Sequence, residues 1–183
     1  MSTITDNESL VAAMNAGFRP RWLFFWGHTP SKDGSLGKTC FSQWWAAHPF
    51  EIDGAMYQTA EHFMMAEKAR LFGDEECRTK ILAAASPAQA KKLGRLVKGF
   101  DESQWKAARM DIVVRGNHAK FSQHPALKEY LAGTGERIIV EASPVDRIWG
   151  IGLAGTDEHA ENPRLWKGLN LLGFALMEVR RRL

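Results

Sequence analysis

Two charged residues in the stretch AEHFMMAEKARLF (residues 60–72) occupy positions that a helix would turn toward its apolar side. At about 100° per residue, Glu61 and Lys68 fall in the middle of one apolar stripe. A carboxylate and an amine in such surroundings are candidates for acid–base or nucleophilic chemistry. The stripe consists of Tyr57, Ala60, Met64, Met65, Leu71 and Phe72.

The residues alone leave two interpretations of this pair open. Either each charge is buried and finds a partner on another element, or the stripe lines a cavity in which both groups face a ligand. Seven residues of helix rise about 10.5 Å, so a direct salt bridge between Glu61 and Lys68 is awkward. The opposite face is predicted to meet solvent, and it carries Gln58, Thr59, His62, Ala66, Ala69 and Arg70.

Two helical patterns contain a further candidate each. Gly94 interrupts the pattern KKLGRLV at a cost of about 1 kcal/mol relative to Ala, and it admits close approach by another backbone or a ligand. Arg95 beside it is then either a fork for phosphate or carboxylate, or a solvated side chain next to a packing glycine. Asn170, at the edge of the apolar arc of the final helix, is either a satisfied core amide or a ligand contact.

The segment ASPVDRIWGIG follows a predicted strand and combines an acid, a large ring and two glycines. Asp146 and Trp149 lie in its loop, where Gly150 and Gly152 let the backbone approach another group closely. A turn aspartate and a buried tryptophan are the alternative. The six histidines have no metal-ligand spacing, so neither a metal site nor a cofactor is predicted.

The elements that must position these residues predict an α+β fold, a single, mostly helical domain with a small β-sheet. Residues 1–20 form a polar segment with a short helix, and residues 21–183 form the domain. RWLFFWG and RIIVEAS are predicted strands, IWGIG is a possible short one, and HTPSKDGSLGKT is a loop. The remaining predicted elements are helices over residues 60–72, from near Cys77, from Ser86 and Pro87, from Asp101 or Ser103, in PALKEYLAGTG, and over PRLWKGLNLLGFALMEVRRR.

Composition narrows the class of protein. The chain has 183 residues, 45% of them hydrophobic and 25% charged, with a net charge of +3 and no apolar run that could span a membrane. The start MSTITDNES lacks the features of a signal peptide, which predicts a cytoplasmic protein. Cys40 and Cys77 are expected to be thiols. Seven tryptophans are enough to line a pocket as well as a core.

A series of motifs runs from Leu23 nearly to the C-terminus, in the order LFFWGH, FSQWW, YQTAEHFMMAEKARLFGD, LGR, AKF, LAGTGERIIVEASPVDRIWGIGL and GLNLLGFALMEVR. In these motifs the chain resembles the NADAR superfamily and its YbiA-like members. It implies a YbiA-like fold and an N-glycosidase. The implied substrates are phosphorylated ribosylamino-pyrimidine intermediates of riboflavin biosynthesis, or ADP-ribose linked to guanine, which can lie within nucleic acid. No obligate protein partner is evident.

The resemblance also implies which residues act. The family's acidic and lysine positions match Glu61 and Lys68, its arginine matches Arg95, and its late aspartate and tryptophan match Asp146 and Trp149. Two departures bear on substrate choice. Ile151 replaces an acidic residue that some members carry between the two glycines, and residues 28–39 form an insertion.

These matches lead to a mechanistic hypothesis. Glu61 and Asp146 activate water or the ribose hydroxyl and protonate the leaving group. Lys68 binds phosphate, stabilises the anion, or attacks C1 to form a Schiff base. Arg95 holds phosphate, and Trp26 (with Gly27), Trp45 and Trp149 (with Gly150) enclose the base or ribose, beside Asn170. A non-catalytic module that binds ADP-ribose or a nucleotide is the alternative function.

Overall fold

The computed structural model describes residues 3–183, and its helices and strands fall into two compact units. One unit combines the residues up to Phe41 with Lys128–Leu183, and the other is Ser42–Leu127. The fold is α+β and mostly helical, as predicted. The elements are α1 (Asn7–Asn15), β1 (Trp22–Phe25), β2 (Phe50–Ile52), β3 (Ala55–Tyr57), α2 (Ala60–Leu71), α3 (Glu75–Leu82), α4 (Pro87–Gly94), α5 (Glu102–Gln123), α6 (Pro125–Ala132), β4 (Ile138–Glu141) and α7 (Leu171–Arg182).

The first unit is built on a two-stranded parallel sheet of β1 and β4, with Phe25 opposite Glu141 at its carboxyl edge. Helix α7 packs on β4. Its Gly173 makes this possible, because a Cβ at that position would overlap the main-chain oxygen of Ile139. The first three residues of β4 are almost fully buried because the strand is covered by β1 on its edge and by α7 on its face.

The second unit is a helical cluster preceded by a hairpin. Strands β2 and β3 pair antiparallel around Asp53 and Gly54, both of which have positive φ, as a two-residue hairpin turn requires. Helix α2 packs against α3, α4 and α5. Its N-cap Thr59 accepts a hydrogen bond from the N–H of His62, while Ser86 caps α4 and Asp101 caps α5 in the same way.

The predicted solvent face of α2 was wrong except at its two ends, where Gln58 and Arg70 are exposed. His62 is 1% exposed, and Ala66 and Ala69 are fully buried. Three helices surround α2, so its small residues meet neighbouring helices rather than water. Both nitrogens of the His62 ring are hydrogen-bonded within the protein. Nδ1 lies 2.8 Å from Oγ1 of Thr59, and Nε2 lies 3.0 Å from the carbonyl oxygen of Ala84. Burial lowers the pKa of His62, so the ring is held neutral.

Three local predictions also differ from the structure. Gly94 ends α4 instead of interrupting a helix. The segment IWGIG forms no strand. The final helix begins only at Leu171, because Asn170 has φ 52 and ψ 33, a left-handed conformation that a helix interior does not allow. Both cysteines are buried thiols, and among residues 3–183 no helix is long and apolar enough to cross a membrane.

Candidate active site

Lys68 extends from α2 into a partly buried environment made by a carbonyl and two rings. Its Nζ donates a hydrogen bond of 2.8 Å to the carbonyl oxygen of Gly94. The same atom lies 4.3 Å from the ring centre of Phe100 and 5.7 Å from that of Trp105. Burial lowers the pKa of Lys68, and the nearby thiol of Cys77 offsets this only in part. A lysine with a lowered pKa supplies more neutral, nucleophilic amine near neutral pH.

Gly94 explains how the carbonyl reaches this lysine. A Cβ on Gly94 would overlap the thioether of Met65 and lie 2.8 Å from its Cγ. The bare Cα therefore lets the C-terminal end of α4 press directly on α2, one turn before Lys68. The sequence predicted close approach at this glycine, and the structure supplies the partner. Arg95 follows as the C-cap of α4, and its exposed side chain forms no hydrogen bond or ion pair with the described residues.

Glu61 lies in the first turn of α2, where the helix dipole favours a carboxylate. It is 3% exposed, and its backbone N–H donates a 2.9 Å hydrogen bond to the carbonyl oxygen of Gln43. The Gln43 side-chain oxygen accepts a 2.7 Å bond from Nδ2 of Asn117, and Nζ of Lys120 lies 3.0 Å from the carbonyl oxygen of Ser42. Glu61 thus belongs to a buried polar cluster formed by Gln43, Glu61, Asn117 and Lys120.

Trp45 and its neighbour Trp44 differ in exposure. Trp45 is 3% exposed, and its indole N–H donates to Nδ1 of His48 at 2.9 Å. Trp44 is half-exposed, with Nζ of Lys91 at 5.9 Å from its ring centre. The accessible ring of this pair therefore belongs to Trp44. A contact between Trp45 and substrate stays a prediction.

In the other unit, Asp146 organises a tight turn. One carboxylate oxygen, Oδ1, accepts hydrogen bonds from the backbone N–H groups of Ile148 (2.8 Å) and Trp149 (2.7 Å). The second oxygen, Oδ2, accepts none from the described residues. Asp146 therefore fixes the loop and half-exposed Trp149 while keeping one carboxylate oxygen available for chemistry.

Gly150 closes the turn against the strand. A Cβ there would lie 2.8 Å from the carbonyl oxygen of Glu141 and 3.1 Å from that of Asp146. The following residue, Ile151, is fully buried and donates its N–H to Glu141 at 2.9 Å. An apolar side chain suits this position because it points into the core of the unit.

Asn170 holds the turn, the strand and α7 together. Its Oδ1 accepts from the N–H of Glu141 (2.9 Å), and its Nδ2 donates to the carbonyl oxygen of Ile139 (3.0 Å). Its backbone N–H donates to Gly150, and the next two N–H groups donate to the carbonyls of Ile148 and Trp149. These carbonyls take the place of a side-chain cap for α7. The side chain of Asn170 is fully buried and engaged with β4, and its contact with a ligand stays a prediction.

Trp26 and Gly27 follow β1 at the carboxyl edge of the parallel sheet, as Ala142–Gly150 follows β4. Ligands of open α/β sheets bind outside this edge. Trp26 is 58% exposed, which leaves its ring open for stacking, and Gly27 turns the chain with φ 83. The sheet thus brings Trp26, Gly27, Asp146 and Trp149 to one edge of their unit.

The sequence did not single out five residues of these surroundings. Phe100 and Trp105 lie beside Lys68, and Gln43, Asn117 and Lys120 belong to the polar cluster of Glu61. Lys120 had one available signal: it lies in the motif AKF, three residues after Asn117, so both share one face of α5. No group of three or more His, Cys, Asp or Glu residues within residues 3–183 is arranged to hold a metal ion.

Comparison with known proteins identifies the family. Residues 24–183 match the NADAR domain. The chain is 42% identical over 164 residues to N-glycosidase R617 of Acanthamoeba polyphaga mimivirus, which covers 87% of this chain and 95% of the viral protein. It is 33% identical over 138 residues to N-glycosidase YbiA of Escherichia coli strain K12, covering 75% and 78% of the two chains.

A third relative is the chloroplastic riboflavin biosynthesis protein PYRR of Zea mays, 34% identical over 131 residues, or 68% of this chain and 19% of the maize protein. The NMR structure of E. coli YbiA superposes with a TM-score of 0.68 at 27% identity, over 90% of this chain and 86% of that one. The chain therefore belongs to the NADAR family and is an enzyme of the N-glycosidase class.

Proposed function

We propose that this N-glycosidase cleaves the bond between C1 of a phosphorylated ribose and a nitrogen of the attached base. Its substrate is a ribosylamino-pyrimidine intermediate of riboflavin biosynthesis. The name of the maize relative supports this choice. ADP-ribose linked to guanine contains the same kind of C1–N bond and is the second substrate to test.

The observation that carries the proposal is the environment of Lys68. Its amine lies between the Gly94 carbonyl and the rings of Phe100 and Trp105, and burial lowers its pKa. In its neutral form the amine attacks C1 of the ribose through its lone pair. The bond from C1 to the base nitrogen breaks, and the departing nitrogen takes a proton from a carboxylic acid. The new C1–N ammonium loses a proton as the ring bond from C1 to O4 breaks and O4 takes up a proton, which gives the Schiff base between Lys68 and the opened ribose. Water then adds to C1, the bond from C1 to Nζ breaks, and the sugar and the free lysine are released.

Proton transfer is proposed for one carboxylate in each unit, Glu61 in the helical unit and Asp146 in the unit of β1 and β4. Glu61 is buried, and the bond from its backbone N–H to Gln43 fixes the first turn of α2 that carries it. Asp146 keeps Oδ2 available while Oδ1 fixes the turn. Arg95, exposed at the end of α4, binds phosphate, and the open rings of Trp26 and Trp149 enclose the base or ribose.

The experiment offers both substrates to the purified protein and measures released base. Glu61→Gln and Lys68→Arg are compared with Lys106→Met, an exposed lysine on α5 that pairs with Glu102 at 2.9 Å. We expect the first two variants to lose at least about 10³-fold in kcat, and the control to keep wild-type activity. Borohydride added during turnover should trap a sugar on Lys68. If the wild-type enzyme releases base from neither substrate, the proposal is wrong. Turnover without a trapped adduct excludes the Schiff base alone.

A further inference from the structure

Lys120 is the most deeply buried cation among the described residues. It lies near the end of α5 with 0% exposure, and its Nζ donates to the carbonyl oxygen of Ser42 at 3.0 Å. Removing an ammonium from water costs several kcal/mol, and apolar residues of similar volume often fill such a place at equal or better stability. Stability alone therefore does not explain a lysine at this position.

Lys120 donates its hydrogen bond to a short segment that other members of the polar cluster also bind. We call Ser42–Trp45 the strap. Besides Lys120, the backbone N–H of Glu61 holds the carbonyl of Gln43 at 2.9 Å, and Nδ2 of Asn117 holds the Gln43 side chain at 2.7 Å. Within the strap, the N–H of Trp44 donates to Oγ of Ser42 at 3.1 Å. Two helices, α2 and α5, thus fix consecutive residues of one loop.

We propose that Lys120 is a positioning residue of the glycosidase site, which holds the strap so that Trp44 and Glu61 keep a fixed mutual placement. Trp44 supplies the accessible ring of the strap, and Glu61 is tied to the next residue by its own backbone. This inference rests on the proposed role of Glu61 in proton transfer. A displacement of about 1 Å at a catalytic group can cost about 10²-fold in rate. Lys120 therefore acts through the geometry of the strap and does not itself contact the reacting atoms.

The test replaces Lys120 by methionine, which has similar length and no charge, with Lys106→Met as the matched lysine on the surface of the same helix. We expect Lys120→Met to lower kcat about 10²-fold while KM changes less than about threefold and the melting temperature is kept. The indole N–H resonance of Trp44, assigned through Trp44→Phe, should shift in Lys120→Met and stay in place in Lys106→Met. This second measurement needs no turnover, so it remains decisive if the proposed reaction fails.

An unchanged Trp44 resonance in Lys120→Met would overturn the inference, as would an unchanged kcat, whatever happens to the melting temperature. A purely structural lysine would lower the melting temperature and leave kcat of the folded fraction alone. If Lys120→Met does not fold, Ser42→Ala is the second variant. Ser42 is half-buried, and the substitution removes the hydrogen bond from the N–H of Trp44 to its Oγ. That variant should lower kcat about tenfold and shift the same resonance, and wild-type values for both would again reject the proposal.

Discussion

Replacement of Gly173 by alanine tests how closely α7 must approach β4. The added Cβ would overlap the main-chain oxygen of Ile139 and lie 2.5 Å from Nδ2 of Asn170. Neither the Ile139 oxygen nor the Asn170 amide can move away from the added Cβ without breaking other contacts. The oxygen belongs to Ile139, which is fully buried in β4, and the Asn170 amide is bonded to that strand at both ends. Alanine must therefore push the first turn of α7 away from the sheet.

The expected loss in the free energy of unfolding of Gly173→Ala is the sum of three contributions. Overpacking a core costs about 1–3 kcal/mol, and loss of the Asn170–Ile139 hydrogen bond leaves buried groups unpaired at about 1–3 kcal/mol. Alanine returns about 1 kcal/mol through its better helix propensity. We expect a net loss of about 1–5 kcal/mol in the free energy of unfolding. For a chain of this size each kcal/mol lowers the melting temperature by about 2–4 °C.

The assay is denaturant unfolding, with the melting temperature measured in parallel. Gly37→Ala is the matched control, because its Cβ would meet only Oγ of Ser31 at an ordinary 3.6 Å. Activity should fall as well, since Asn170 and the first amides of α7 hold the turn of residues 146–150. A Gly173→Ala protein as stable as the control would refute the reasoning, because α7 would then tolerate a wider spacing from β4.

Three further predictions concern protonation and the Asp146 turn. Burial lowers the pKa of His62, so near pH 6.5 the unfolded chain binds more protons than the folded one. The free energy of unfolding should therefore fall as the pH drops below about 6.5. Unfolding measured against pH should show a smaller fall for His62→Gln, while the exposed control His159→Gln should match wild type. Asp146→Ala removes two hydrogen bonds to backbone N–H groups, and steady-state kinetics should show kcat/KM reduced about 10–10²-fold. Unchanged kinetics would reject both the proposed proton transfer by Asp146 and the need for its carboxylate in the turn. Phe100→Ser admits water to Lys68, whose pKa is lowered mainly by burial, and should therefore raise that pKa. The ascending limb of kcat against pH should then move to higher pH. A shift to lower pH would contradict burial as the cause.

Local patterns predicted most of the elements because their signals are local. Ser86 with Pro87, and Asp101 at the start of α5, cap their helices through side chains a few residues away. The Asp53–Gly54 turn likewise carries its own conformational preference. The start of α7 was misplaced because its caps are carbonyls of residues 148 and 149, more than twenty residues earlier in the chain. No periodicity in the helix itself reveals them.

The same limit applies to the candidate site. Glu61 and Lys68 were both predicted to lie on the apolar side of α2, and Glu61 is buried there while Lys68 is half-buried. The helical periodicity of α2 could not identify the carbonyl of Gly94 or the ring of Phe100 as neighbours of Lys68, because both lie on segments that meet α2 only after folding.

The sequence by itself determined the helical content, the caps and the identity of the charged residues on the apolar stripe, since these depend on neighbours within a turn or two. Only the tertiary structure decided what each charge meets. It placed Lys120 on the carbonyl of Ser42 and both ends of the Asn170 amide on β4. Such contacts join residues far apart in the chain, and their energies depend on burial and distance, which the chain acquires only when it packs.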